Sequence, residues 1–126
     1  MKKSNALLAN AANRGHAGAM FLLGDNLIKQ GKHNLQLAVP HFREAARRDN
    51  ADAQFVLACI MMEGFDIRGM DETPVDLLIQ AASQSHKPSR KKLTTTTWRS
   101  ENDRERIKHL VAAPVDEAAS AAHVLI

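Results

Sequence analysis

Six histidines, one cysteine and a basic run in the last third are the residues of this 126-residue sequence whose types could do chemistry. His16, His33, His41, His86, His109 and His123 are spread along the chain, and no Cys/His spacing matches a zinc site. No Gly-rich phosphate loop, HExxH pair, nucleophile elbow or EF-hand spacing occurs. Cys59 sits in an apolar stretch, where a buried inert thiol is expected rather than a nucleophile. As a lone cysteine it closes no intramolecular disulfide, which suits a reducing compartment. The expectation is therefore a non-enzyme without cofactor or metal.

The basic run is the other chemical candidate. Residues 86–109 carry Lys87, Arg90, Lys91, Lys92, Arg99, Arg104, Arg106 and Lys108 against Glu101, Asp103 and Glu105, an excess of five, while residues 1–85 balance at zero. Together with Trp98, the 87–108 segment could track a phosphate backbone while the indole stacks on a base. The interleaved acids and the modest excess fit a solvated helical face better, so nucleic acid is the alternative reading.

The elements that must position these residues follow from composition and periodicity. Hydrophobic residues make up 44% and charged residues 25%, and the length fits one domain, so disorder and two large enzymatic domains are both disfavoured. Aromatics are only 4%, with no Tyr, so Ala, Leu, Met, Ile and Val must fill the core, a choice that leans helical. The apolar stretch after Lys2 and Lys3 is too brief for a secretory signal, and no window approaches a membrane span. A soluble cytoplasmic protein with no membrane contact is expected.

A repeat runs through the sequence. Ala11-Ala12-Asn13-Arg14-Gly15-His16-Ala17-Gly18-Ala19-Met20-Phe21-Leu22-Leu23 recurs 34 residues on as Ala45-Ala46-Arg47-Arg48-Asp49-Asn50-Ala51-Asp52-Ala53-Gln54-Phe55-Val56-Leu57. A weaker copy starts at Ala81-Ala82, with Ser89 and Leu93 where Ala53 and Leu57 stand, and a still weaker one at Ala112-Ala113, with Ser120 and Val124 in those places. Leu8, Phe42 and Leu78 precede the Ala pairs at one fixed distance.

Each unit reads as two helices. Ala17 to Gln30 places Met20, Phe21, Leu23, Leu27 and Ile28 at helical spacing, with Gly31 as its C-terminal cap. The partner helix carries Leu37, Ala38, Phe42, Ala45 and Ala46, and Pro40 in a first turn predicts a start near Ala38. Gly24 and Ala58 allow neighbouring helices to approach closely. Thr94 to Thr97 have poor helix propensity, which puts the first helix of the third unit in doubt. One hairpin cannot bury both faces, so units must stack.

These residues resemble the Sel1-like repeat family, relatives of tetratricopeptide repeats. Phe42-Arg43-Glu44-Ala45-Ala46 followed by Ala51-Asp52-Ala53-Gln54 carries the match best, with Leu23-Gly24 and the Gly64-to-Asp71 connector beside it. Ala58 departs from the family's Gly, and Pro40 and His41 from its usual residues. The resemblance covers residues 4–93 well and the rest poorly. It implies an all-α, right-handed α-solenoid of stacked antiparallel hairpins over residues 1–126: an N-terminal half-repeat helix at 1–14, repeats at 15–48 and 49–84, and a degenerate repeat with a C-terminal cap at 85–126.

The same resemblance implies a non-catalytic adaptor or regulator that binds a protein or peptide partner, a dedicated inhibitor or immunity-type partner being its more specific form. Tetratricopeptide-like stacking puts the first helix of each unit on the concave groove. The exposed positions are then Phe21, Asp25, Ile28 and Lys29; Asp52, Phe55, Cys59, Met62 and Glu63; and Lys91, Thr95, Trp98 and Arg99. Aromatic anchors amid mixed charge suit a peptide groove. Phe21, Phe55 and Met62 equally suit plain core, whereas Trp98 stands alone among polar and basic neighbours. Incomplete terminal units leave apolar faces through which copies could self-associate.

Overall fold

The computed structural model describes residues 14–65, 67 and 69–112, together with Asn10. The expected half-repeat helix at 1–14 and the tail beyond Ala112 lie almost wholly outside them. The described residues form helices and no strand: α1 (Ala17–Gln30), a 3-10 turn (Lys32–Asn34), α2 (Leu35–Arg47), α3 (Ala51–Met62), α4 (Pro74–Ala82), α5 (Lys87–Thr95) and α6 (Glu101–Ala112). The chain is all-α over this range. Each helix from α1 to α5 packs on its neighbour in sequence, and α6 rests on both α4 and α5. No helix among the described residues is long and apolar enough to cross a membrane.

The boundaries follow local chemistry. Helix α4 starts on Pro74 behind a capping box, in which the Thr73 hydroxyl accepts from Asp76 N–H at 3.2 Å and the Asp76 carboxylate accepts from Thr73 N–H at 2.8 Å. Asn50 caps α3 by accepting from Ala53 N–H at 2.8 Å. Two helices end on the same turn. At the close of α2, Asp49 N–H donates to Ala46 C=O and Asn50 N–H to Ala45 C=O; at the close of α4, Ser85 N–H donates to Ala82 C=O and His86 N–H to Ala81 C=O. Asp49 and Ser85 both take positive φ, 64° and 65°, and Gly15 occupies that place before α1 with φ 91°.

Three boundary expectations change. Helix α2 begins at Leu35, not near Ala38, so Pro40 lies inside it. The amide Pro40 lacks would have bonded Gln36 C=O, and Gln36 and Pro40 are both exposed, so water can serve that carbonyl. The preceding 3-10 turn is held by Asn34, whose side-chain amide donates to Leu27 C=O at 2.9 Å. Gly31 does end α1, yet with φ 164° it is extended rather than left-handed. Helix α5 forms despite its threonines: Thr94 and Thr95 turn their hydroxyls back onto Lys91 C=O at 3.1 and 2.8 Å.

The core is aliphatic and rich in small residues. Phe42, Leu57, Leu77, Leu78 and Leu93 are fully buried, and Ala38, Ala45, Ala53, Ala58 and Ala81 close the gaps between helices. Gly24 is buried under Phe42, whose ring would stand 2.9 Å from a Cβ placed there. Among the described residues Gln54 is the one large polar side chain with no exposure; it donates to Ala46 C=O at 3.2 Å and to the Gln80 side chain at 3.3 Å, and accepts from Gln84 at 3.0 Å. It thereby ties α3 to the end of α2 and to α4.

Candidate interaction face

The starting point is the N-terminus of α5. His86 accepts from Ser89 N–H at 3.3 Å through Nδ1, and the Ser89 hydroxyl lies 2.7 Å from the same nitrogen. An accepting Nδ1 puts the proton on Nε2, which donates to the Asp52 carboxylate at 2.8 Å. The Phe55 ring packs on the imidazole with centroids 5.4 Å apart. Asp52 and Phe55 of α3 are thus joined to α5 by a residue 34 positions further along the chain than Asp52. The order Asp, His, Ser invites comparison with a hydrolase triad, but Ser89 has no solvent exposure and bonds the nitrogen that a triad reserves for the carboxylate. The arrangement caps and clamps. His16, in the matching position before α1, makes no such side-chain cap.

Farther along α3, Cys59 is half-buried and free. Burial pushes its thiol above the ordinary range; Lys92 pulls the other way and Glu63 adds to the rise. The thiol therefore stays protonated near neutral pH and makes a poor nucleophile. Met62 is half-buried against the core. Glu63 is exposed at the end of the helix and, with Ile28, Lys32, Leu35 and Ile60, borders a cleft of about 280 Å³ that joins the ends of α1 and α3.

The α1 candidates contribute less. Phe21 is half-buried with its ring 5.7 Å from that of Phe42, and Asp25 and Lys29 are spent on each other at 3.0 Å. Lys91, Thr95 and Arg99 are exposed on and beyond α5.

Trp98 occupies a different place. It is half-buried, its Nε1–H donates to Leu93 C=O at 2.8 Å, and it lines a cleft of about 440 Å³ between α5 and α6 with Leu93, Thr94, Arg104, Ile107, Lys108 and Val111. Asp52, Phe55, Cys59 and Glu63 share a face with His86 and Lys92; Trp98 belongs with α6.

The basic segment is partly committed internally. Arg104 donates to Trp98 C=O at 2.8 Å and Arg99 C=O at 2.9 Å, Arg90 donates to Val111 C=O at 3.3 Å, and Arg106 pairs with Asp76 at 2.7 Å. Among the described residues no three His, Cys, Asp or Glu side chains gather to hold a metal ion. Sequence reasoning placed His86 only in a turn; its reach to Asp52 needs the distance between two helices, which no spacing encodes. No family model, curated protein or solved structure matches the chain.

Proposed function

We propose that this chain is a Sel1-like helical-repeat adaptor, a right-handed solenoid of hairpins that binds a protein or peptide on the face built by α1, α3 and α5. The observation that carries the reading is the α3–α5 seam. Phe55 stands there half-exposed between Asp52 and Cys59 and is held by His86, and the same helix runs on to the cleft at Ile28, Ile60 and Glu63. An aromatic side chain packed on an imidazole, with both signs of charge beside it and an apolar recess along the same helix, suits an extended peptide or a partner helix. The shared turn geometry at Asp49 and Ser85 supports the stacking, because equal turns deliver successive helices in equal orientation. The work of such a protein is recognition without chemistry, in the cytoplasm.

The test is affinity capture from the source cells at low and high salt, with nuclease, comparing wild type, Phe55→Ala and Glu63→Lys. A nuclease-resistant protein retained by wild type and lost with either variant supports the adaptor. Recovery of nucleic acid, released by salt and indifferent to Phe55, transfers the function to the basic segment.

A further inference from the structure

Among the described residues, each helix that carries Lys or Arg also carries an acid that pairs with it, with one exception. Asp25 pairs with Lys29 on α1, Glu44 with Arg47 on α2, and Asp103 with Arg106 on α6. Helices α3 and α4 hold no Lys or Arg. Helix α5, Lys-Pro-Ser-Arg-Lys-Lys-Leu-Thr-Thr, holds four and no acid. Its Arg90 is turned toward α6, donating to Val111 C=O at 3.3 Å. Lys87 and Lys91 are exposed, and their ammonium groups take no partner among the described residues. Lys92 is half-buried on the side of Cys59. Asp52 of α3 and Asp76 of α4 are engaged by His86 and by Arg106. Lys87 and Lys91 also set like charges four residues apart, a spacing that disfavours the helix. The core requires neither, since α5 enters it through Ser89 and Leu93.

We propose that the segment received on the α3–α5 seam is an acidic peptide of a partner protein, with carboxylates paired to Lys87, Lys91 and Lys92 and an apolar side chain on Phe55. This names the partner chemistry of the face proposed above and rests on that reading. Charge complementarity sets the sign and the helix sets the repeat. Lys87 and Lys91 are separated by about 6 Å of helical rise, which matches carboxylates four residues apart on a partner helix or two apart on an extended chain. The apolar part of the site lies beside the lysines, because Phe55 packs on His86, the residue before Lys87.

A phosphate backbone fits this surface less well. Asp52 is 61% exposed at the start of α3 and Glu63 is exposed at its end, so a continuous anion meets repulsion at both points. A peptide can place a neutral or basic residue at each. Three lysines are also a short track for a nucleic acid, whose affinity grows with the number of phosphates neutralised.

The probe is a fluorescein-labelled peptide of three Glu-Glu-Leu-Leu units, followed by anisotropy on the full chain at low and high salt. Its Gln-Gln-Leu-Leu and Lys-Lys-Leu-Leu counterparts and a single-stranded oligonucleotide are the comparisons. The variants are Lys87→Gln, Lys91→Gln, Phe55→Ala and, as an exposed cation on α6, Lys108→Gln. Circular dichroism should be unchanged in the lysine variants. The acidic probe should bind about tenfold tighter than either counterpart at low salt and lose that margin at high salt. Lys87→Gln and Lys91→Gln should each weaken it about threefold, and Lys108→Gln should leave it unchanged. Phe55→Ala should weaken the acidic and neutral probes alike.

Equal binding of the acidic and neutral probes overturns the proposal. Capture from cells that is lost in Phe55→Ala but kept in Lys87→Gln and Lys91→Gln overturns it too, while leaving the adaptor reading standing. The same loss in Lys108→Gln as in Lys91→Gln removes the effect from the seam and overturns the site. Tighter binding of the oligonucleotide than of the acidic probe overturns it in favour of nucleic acid. Markedly tighter probe binding after Asp116→Asn with Glu117→Gln assigns the lysines to the chain's own acids. A particle of twice the mass in light scattering, returned to single mass by Lys91→Gln, assigns them to a second copy. Either result overturns a partner's peptide as the occupant.

Discussion

His86→Ala removes four contacts at once, and their sum can be worked from the structure. Loss of the cap on Ser89 N–H costs about 1 kcal/mol, the usual figure for a helix N-cap. The Ser89 hydroxyl, buried and bonded to the same nitrogen, loses that partner, for which about 0.5 kcal/mol is charged. The bond to Asp52 is discounted to about 0.3 kcal/mol because that carboxylate is 61% exposed. The ring contact with Phe55 adds about 0.5 kcal/mol. The total is about 2 kcal/mol, or about 8 °C in Tm for a chain of this size. His86→Asn restores an acceptor for Ser89 N–H without reaching Asp52 or stacking on Phe55, so it should recover about half of the loss. The assay is urea unfolding followed by helical circular dichroism, with amide exchange of α5 as the local readout. Equal losses in the two variants would show that the cap contributes nothing, and a His86→Ala chain within about 0.5 kcal/mol of wild type would refute the clamp altogether.

Gly24→Ala gains about 1 kcal/mol of helix propensity but drives a methyl into the Phe42 ring, a conflict that costs about 1–3 kcal/mol in a packed core. Net destabilisation is expected by thermal melt, and a double-mutant cycle with Phe42→Leu should show that the smaller side chain relieves it. Gln54→Ala takes one of two donors from Ala46 C=O, which keeps Asp49 N–H, unties Gln80 and Gln84 and leaves a gap in the core, and should lower stability by about 1–3 kcal/mol in urea. Burial pushes the Asp76 carboxyl up, but the Thr73 N–H, the Arg106 guanidinium and the Thr73 hydroxyl outweigh it and hold the group below its ordinary value. Its stabilising contribution is complete above the unfolded carboxylate pKa of about 3.9 and disappears as pH falls through the lower folded value. The stability gap between wild type and Asp76→Asn, measured by urea unfolding across acid pH, should therefore close as the pH drops through that window.

What was legible in the sequence is what depends on neighbours within a helix or a turn. The apolar spacing from Met20 to Ile28 gives α1 its bounds, and the Ala45-Ala46 and Ala81-Ala82 pairs mark the close of α2 and α4 because the turns that follow them are built from their own carbonyls. Gly24 as a point of close approach was equally readable, since only a missing side chain explains glycine in mid-helix. Pro40 misled because its cost depends on whether Gln36 C=O faces water, which is a tertiary fact. The surroundings of Trp98 were hidden for a similar reason. Polar neighbours in sequence make it look like an isolated anchor, yet Leu93 C=O and α6 receive it across a bend in the chain.

The contrast between His16 and His86 bears on the proposed interaction face at the α3–α5 seam. Both stand one residue after a positive-φ turn and one residue before a first helix, so the backbone asks the same of each. Only His86 has Ser89 three residues on, where Ala19 stands in the first copy, and His86 also reaches the Asp52 carboxylate on α3. The extra polar atoms are therefore not needed to make the turn, which forms at Gly15 and His16 without them. They tie α3 to α5 at this seam, where the Phe55 ring packs on the imidazole. A seam held by a cap, a carboxylate and a ring stack loses less side-chain freedom when a partner binds than one held by aliphatic contact alone, because the ordering has already been done in the free protein. On this argument His86→Ala should weaken partner capture by more than Asp52→Asn does, although neither residue need touch the partner, and the order of those two losses is what distinguishes a preorganised face from a simple contact surface.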